Sequence, residues 1–233
     1  LPLEEILAPE NIDPDGFELR EFTRPTDNYD AMNSSDAFYG EVEVSFDDRF
    51  ILSLGARQED FSQNVRTFDL FRDAEVNADQ ESEDILPAFT GTYIHGDHQF
   101  RIGYSETLSR PDFRELSPAA FTNPVTGREV VGNPYLEIAN ITNYDFRWEW
   151  YFGFGDSMSL GLFYKEFEKP IESVVQPGAE SRQSFVNAEA GKNAGVEFEL
   201  SKSLKFLGGR WEDFYIQTNV AFIDSEVTIA EKD

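Results

Sequence analysis

The stretch Asn143-Tyr144-Asp145-Phe146-Arg147-Trp148-Glu149-Trp150-Tyr151-Phe152 decides the fold class. Successive side chains of a β-strand point to opposite faces, so Tyr144, Phe146, Trp148, Trp150 and Phe152 share one face. Asn143, Asp145, Arg147 and Glu149 share the other. Large aromatics in a row, with no helix to cover them, suit lipid better than the interior of a soluble sandwich. About ten residues is also what a tilted strand needs to cross a bilayer.

The rhythm recurs on either side of this stretch. Ala37–Phe46 and Arg49–Asp60 pair around Asp47-Asp48, with Phe38, Val42, Val44 and Phe46 on one face, and Phe50, Leu52 and Leu54 on the matching face of the return strand. Ile85–Ile94 and His98–Thr107 turn at His95-Gly96-Asp97. Thr142–Phe152 and Ser157–Phe167 turn at Gly153-Phe154-Gly155-Asp156. Asn193–Leu204 and Phe214–Asp224 turn around Gly208-Gly209. Gly- and Asp-rich turns between alternating runs are hairpin signals.

Between hairpins lie the long segments Ser62–Asp84, Leu108–Ile141 and Glu168–Lys192, after a lead-in, Leu1–Asp36. Long structureless connections are unusual in a compact soluble domain, whereas outer-membrane barrels alternate short periplasmic turns with long outer loops. The expected fold is therefore all-β: an antiparallel up-and-down transmembrane β-barrel sheet of about eight strands. Residues 1–36 are expected to be an extracellular lead-in, 37–225 the barrel segment, and 226–233 the start of a further extracellular loop. Both ends then fall on the long-loop side, so the eight strands read as part of a larger barrel.

Composition narrows the partners. A net charge of -26 over 233 residues argues against nucleic acid. The 22 Phe, 9 Tyr and 3 Trp argue against disorder. No run approaches the length of a membrane helix, and mean hydropathy is -0.47, but strands that are half lipid-facing and half polar average out in such measures. Without cysteine there is no disulfide framework and no thiolate metal site. The opening residues, Leu1-Pro2-Leu3-Glu4-Glu5, do not form a signal peptide.

Several phrases resemble TonB-dependent outer-membrane receptors. They are Leu86-Pro87-Ala88-Phe89, then Tyr104-Ser105-Glu106-Thr107-Leu108-Ser109-Arg110-Pro111-Asp112-Phe113-Arg114-Glu115-Leu116, then Gly132-Asn133-Pro134. Asn143-Tyr144-Asp145, Phe163-Tyr164-Lys165, Lys169-Pro170-Ile171 and Asn193-Ala194-Gly195-Val196-Glu197 complete the order. The resemblance runs from about Glu18 onward. It implies a 22-stranded barrel around an N-terminal plug, importing a scarce nutrient such as siderophore-iron or an oligosaccharide across the outer membrane of a Gram-negative bacterium. The implied partners are outer-membrane lipid, the imported solute, and the TonB complex through the plug region. No TonB box, plug or closing strand is recognised in these residues.

Candidate ligand contacts are Arg110, Asp112, Phe113, Arg114, Phe121 and Tyr135, where a strand leaves the membrane for the longest internal loop. A mixed-charge cluster beside Pro111 is more often the pin of a loop base, and such rings more often pack a loop upon itself. Asn11, Asp13 and Asp15, before Gly16, have the spacing that opens a calcium loop. Phe22 stands where the bidentate Glu belongs, however, and Pro14 is awkward there, so a plain acidic turn is the expected reading and no cofactor is otherwise implied. Arg101, Arg147, Glu149, Lys165, Glu197 and Glu199 are expected to face the barrel interior. His95 and His98, the two histidines, are expected to be turn residues rather than metal ligands. No G-x-S-x-G elbow, phosphate-cradling loop or H-E-x-x-H is present, so an enzyme is not expected. The competing reading is a soluble, acidic β-sheet binding or adhesin module without transport.

Overall fold

In a computed structural model, residues 3–6, 8–9, 12, 28–69, 74–176 and 182–229 are described. Eight strands form one antiparallel sheet: β1 (Tyr29–Phe46), β2 (Phe50–Asp69), β3 (Ala74–His95), β4 (His98–Ser109), β7 (Ala139–Gly153), β8 (Asp156–Glu168), β11 (Ala190–Ser203) and β12 (Tyr215–Thr228). They lie in that order, each beside its predecessor, as an up-and-down meander requires. A second, small sheet in the order β5-β6-β10-β9 joins β5 (Phe121–Thr122), β6 (Glu129–Val130), β9 (Ile171–Gln176) and β10 (Arg182–Asn187).

The cross-strand register puts the alternation to use. Val42 pairs with Leu54 and Leu54 with Phe89, while Phe146 pairs with Leu162 and Leu162 with Val196. The apolar residues of neighbouring strands thus fall on one face and form a continuous outward band. Its lower edge is a row of stacked rings in which Phe50, Tyr93 and Phe100 follow one another and His98 lies against Trp148 and Trp150. Its upper edge is a row of tyrosines: the Tyr104 and Tyr144 rings are 5.4 Å apart, and those of Tyr144 and Tyr164 are 6.2 Å apart. The Tyr104 and Tyr164 hydroxyls donate to Glu106 and Glu166, two residues further up their own strands. Each ring stays in the band while its polar tip reaches out of it.

The tight turns also follow from sequence. Asp47 and Asp48 both take left-handed φ values, 50° and 51°, the type I′ geometry that matches strand twist. Asp tolerates this region better than most residues, because its short side chain can bond locally.

All four hairpins of the large sheet run longer than the alternation alone suggests. β1 starts at Tyr29 rather than Ala37, and β12 ends at Thr228 rather than Asp224. The largest correction concerns Ser62–Asp84, expected as a long connection. β2 and β3 remain paired throughout it, up to Asp69 opposite Ala74. The reason is a change of phase. Below Asp60 the apolar side chains of β2 point outward, whereas above it Phe61 and Val65 point to the inner face and are buried there. Ser62, Asn64 and Arg66 take the outward positions, so no single alternation describes the whole strand. Similarly, Glu168–Lys192 contains the β9–β10 hairpin, and Leu108–Ile141 contains a helical turn, Phe113–Leu116, and the β5–β6 pair.

These connections fold inward. Val65 and Ala78 on the inner face of β2 and β3 meet Leu116 and Leu136, with Tyr29, Phe113, Ile171 and Phe185 packed around them. The small sheet and the helical turn therefore form a satellite core against the upper inner wall.

Candidate functional site

The loop base is built on Arg110. Its guanidinium pairs with Glu59 at 2.6 Å and Asp84 at 3.2 Å, and lies 4.2 Å above the Phe61 ring. Hydrogen bonding from Arg57, reinforced by the charge of Arg110, holds the Glu59 carboxyl below the usual range against the opposing effect of burial. Glu59 lies just above the outward apolar band. Next along the chain, Asp112 caps the helical turn: its side chain accepts from the Arg114 N–H, and the Asp112 N–H donates to Glu115. Phe113 enters the satellite core, and Arg114 sits 4.9 Å from the centre of the Phe121 ring. Tyr135 is 70% exposed.

The structure thus ties Arg110 to β2 and β3, uses Asp112 as a cap, and brings Arg114 and Phe121 together. Tyr135 is the most exposed of the three aromatic residues among the six. Asn11, Asp13 and Asp15 lie outside the described residues. Among the described residues no group of three or more His, Asp or Glu is arranged to hold a metal ion.

Sequence reading missed the amide side chains that seal this loop. Gln63 donates to the Pro111 carbonyl at 3.0 Å and Gln80 to that of Leu136 at 2.6 Å. Asn133 donates to the Phe185 carbonyl and accepts from the Tyr135 N–H, both at 3.0 Å. Asn187 donates to the carbonyls of Glu137 and Lys169 and accepts from the Glu137 N–H. Each amide substitutes for a strand partner that irregular backbone lacks. Only Asn133 carried a signal, the Gly132-Asn133-Pro134 phrase.

Below the loop core the inner wall of the sheet is polar and charged. Arg147 pairs with Glu149 at 3.2 Å and Glu199 at 2.6 Å, and Glu199 also accepts from Ser159 and Asn219. Lys165 donates to the buried Asn143, whose amide reaches the Ser105 carbonyl and Thr107 on β4. Arg101, Asp145, Arg147, Lys165 and Glu197 line a depression of about 510 Å³ with Phe163 at its side. All six charged residues expected on one face share it.

Phe163 lies against Gly195, its partner on the next strand, and a Cβ at that glycine would fall 2.5 Å from ring atom Cε1. An aromatic covering a strand glycine shields backbone that would otherwise lie bare. Gly195→Ala is expected to push the ring off the wall at a cost of about 1–3 kcal/mol. The check is the unfolding midpoint against the parent; an unchanged midpoint would refute the covering role.

At the lower rim, Asp156 pairs with Lys202 and accepts from the Ser203 N–H at 2.7 Å. These bonds, from Lys202 first, hold its carboxyl below the usual range. For both Glu59 and Asp156 a depressed value means that the folded state favours the ionised form. Their stabilisation is complete above the ordinary carboxylate range and is lost as pH falls through the lowered values. Melting temperature is expected to hold from neutral pH to the top of that range and fall below it. A rise on acidification would contradict both assignments.

Comparison with known proteins gives the class. The family described as TonB dependent receptor-like, beta-barrel matches residues 8–233. The chain belongs to the TonB-dependent receptor β-barrel family. The copper transporter OprC superposes with a TM-score of 0.61 at 14% identity, over 84% of this chain and 30% of that one. The hemophore receptor HasR of Serratia marcescens gives 0.58 at 12%, over 72% and 32%. The siderophore receptor PirA of Pseudomonas aeruginosa gives 0.56 at 14%, over 84% and 44%. Identities this low speak for the fold alone. The chain spans less than half the length of each of these three proteins. No curated protein sequence matches it.

Proposed function

We propose that the chain is a wall segment of an outer-membrane receptor that binds a scarce nutrient and imports it with energy from the TonB complex. The nutrient classes that fit are siderophore-bound iron, oligosaccharides and similar solutes. The observation that carries this reading is the outward apolar band, edged by Tyr104, Tyr144 and Tyr164 above and by His98, Trp148 and Trp150 below. Two interfacial rows with aliphatic residues between them are what a bilayer asks of a barrel wall. The inner wall, with Arg147 between Glu149 and Glu199, suits a wet or plug-filled interior.

In this reading the protein resides in the outer membrane of a Gram-negative bacterium, with the satellite core at the outer mouth. Residues 1–36 and 226–233 belong to the outer side and 37–225 to the barrel, whose strand β1 extends back to Tyr29. Contact with TonB runs through a plug outside this segment. The protein does no chemistry on its cargo. Arg114, Phe121 and Tyr135 are the ligand-facing candidates, while Arg110, Asp112 and Phe113 hold the loop in place.

The test is to isolate the native gene product from fractionated cells, measure its intact mass, and compare nutrient uptake with a deletion strain. A membrane-integral species several times heavier than 26.6 kDa, whose loss abolishes uptake of one nutrient, is expected. A soluble species of that mass would overturn the reading and leave an acidic binding module.

A further inference from the structure

The large sheet is not continuous over its full height. β3 pairs with β4 only from His95 opposite His98 up to Ala88 opposite Ser105. Above that level β2 and β3 stay paired to Asp69 opposite Ala74, and β4 stays paired with β7 to Ser109 opposite Ala139. The break falls at Pro87. The Ile94 N–H donates to the Arg49 carbonyl on the β2 side, so the odd-numbered residues of β3 turn their backbone groups toward β4. Continuing the register would set Pro87 opposite Glu106, and proline has no N–H to give there.

Residues 29–37 of β1, 59–69 of β2 and 74–86 of β3 therefore form a three-stranded arm, with a seam between its β3 edge and the rest of the mouth. Among the described residues no backbone hydrogen bond crosses this seam. Side chains close it instead, chiefly against the residue 110–136 loop. Arg110 reaches Glu59 and Asp84, Gln63 reaches the Pro111 carbonyl, and Gln80 reaches that of Leu136. Val65 and Ala78 on the arm meet Leu116 and Leu136 on the loop.

The closure is imperfect. Among the described residues, the buried side-chain atoms without a hydrogen-bond partner are Gln80 Oε1, Ser82 Oγ and Arg110 Nε, and all three border the seam. Ser82 stands opposite Phe61, over whose ring Arg110 lies, and sits between Gln80 and Asp84 on one face of β3. Shut, the seam dries these groups without pairing them; open, water would satisfy them. Apolar burial draws the seam together while stranded polar atoms press it apart, as in an element with two arrangements.

We propose that the arm swings as one body about the level of Pro87, with the residue 110–136 loop as its latch. Its use as a gate over the outer mouth rests on the import reading above; the motion itself does not. Arg114 and Phe121 ride on the same loop, so cargo held by them bears on the latch.

The test uses the full receptor in lipid nanodiscs, spin-labelled at Asn77→Cys on the arm and Asn140→Cys on β7, both exposed positions, without other cysteines. Double electron–electron resonance reads the distance between the labels. Gln63→Ala/Gln80→Ala strands the Pro111 and Leu136 carbonyls in the shut form, so a longer-distance population is expected to rise about tenfold over the parent. Adding Pro87→Val supplies an N–H facing Glu106 and is expected to reverse that rise. Amide exchange separates swinging from melting: residues 59–69 are expected to stay protected while residues 113–136 exchange faster. An unaltered distance distribution in the double variant, no reversal by Pro87→Val, or lost protection in β2 would each overturn the arm. Alkaline carbonate extraction keeps the two readings apart. An integral receptor with one rigid distance would sink only the arm, whereas release from membranes would sink the membrane reading and leave the measured distances standing.

Discussion

Gly132→Ala is expected to unfold the satellite core while leaving the barrel wall standing. A Cβ at this position would lie 2.6 Å from the Arg114 carbonyl oxygen and 2.7 Å from that of Glu115, and closer still to that of Ser117. These are backbone atoms of one helical turn, so no side-chain rotation can relieve the overlap. Two bonds depend on the same approach: the Gly132 N–H to Ser117 at 2.9 Å and the Asn133 N–H to Glu115 at 2.6 Å. Overpacking plus two strained hydrogen bonds points to a cost of about 3 kcal/mol or more. Limited proteolysis of the intact receptor is the readout, with new cleavage between residues 110 and 136 while the barrel keeps its heat-resistant mobility on a gel. An unaltered digest would mean that the backbone at Gly132 has room the geometry denies it.

Arg110→Ala should be nearly as damaging, for an electrostatic reason. It leaves the Glu59 and Asp84 carboxylates, only 10% and 22% exposed, facing each other without their shared cation. Removing one partner of a buried network costs more than the network contributes, because the stranded charges stay desolvated. Partial solvent contact at Asp84 and the remaining Arg57–Glu59 pair reduce that cost to about 2–3 kcal/mol. Arg110→Lys should recover only part, since a point charge cannot span two carboxylates as a planar fork does. Arg110→Met combined with Glu59→Gln and Asp84→Asn should recover most of the loss. Equilibrium unfolding of the four proteins measures this. Full stability of Arg110→Ala with ligand binding abolished would move Arg110 from the architecture to the ligand.

How far the sequence spoke depended on which solvent each face meets. In Asn143–Phe152 one face meets an apolar medium and the other a polar one, so period two is written plainly in the residues. Above Asp60 both faces of β2 meet polar surroundings except where the loop core covers Phe61 and Val65, and the alternation reverses. A pattern that changes phase midway looks like no pattern, which is why a continuous strand pair read as a loop. The short β5, β6, β9 and β10 strands have a related difficulty: they form two local pairs that become one sheet only through contacts across some fifty residues of chain, Gln183 beside Val130 and Arg182 to Glu129, which local periodicity does not encode. At the loop base the identity of Arg110 was legible but its partners were not. Glu59 and Asp84 lie on strands 51 and 26 residues away in sequence. The Gly132-Asn133-Pro134 phrase was legible as a motif, and its physical meaning emerges only with the helical turn pressed against it.

The continued pairing of β2 and β3 has a consequence for what the cell shows to its surroundings. Beyond Gln58, β2 runs on for eleven residues to Asp69, roughly 35 Å of strand at about 3.3 Å per residue. In the orientation proposed above, that hairpin is a mast rather than a loop, stiffened by backbone bonds and braced from within by Leu116 and Leu136. Its outward positions Ser62, Asn64 and Arg66 lie on the side away from that bracing. Side chains there can therefore be exchanged without touching Val65, Ala78, Leu116 or Leu136, so the face the hairpin shows and the contacts that hold it upright are set by different residues.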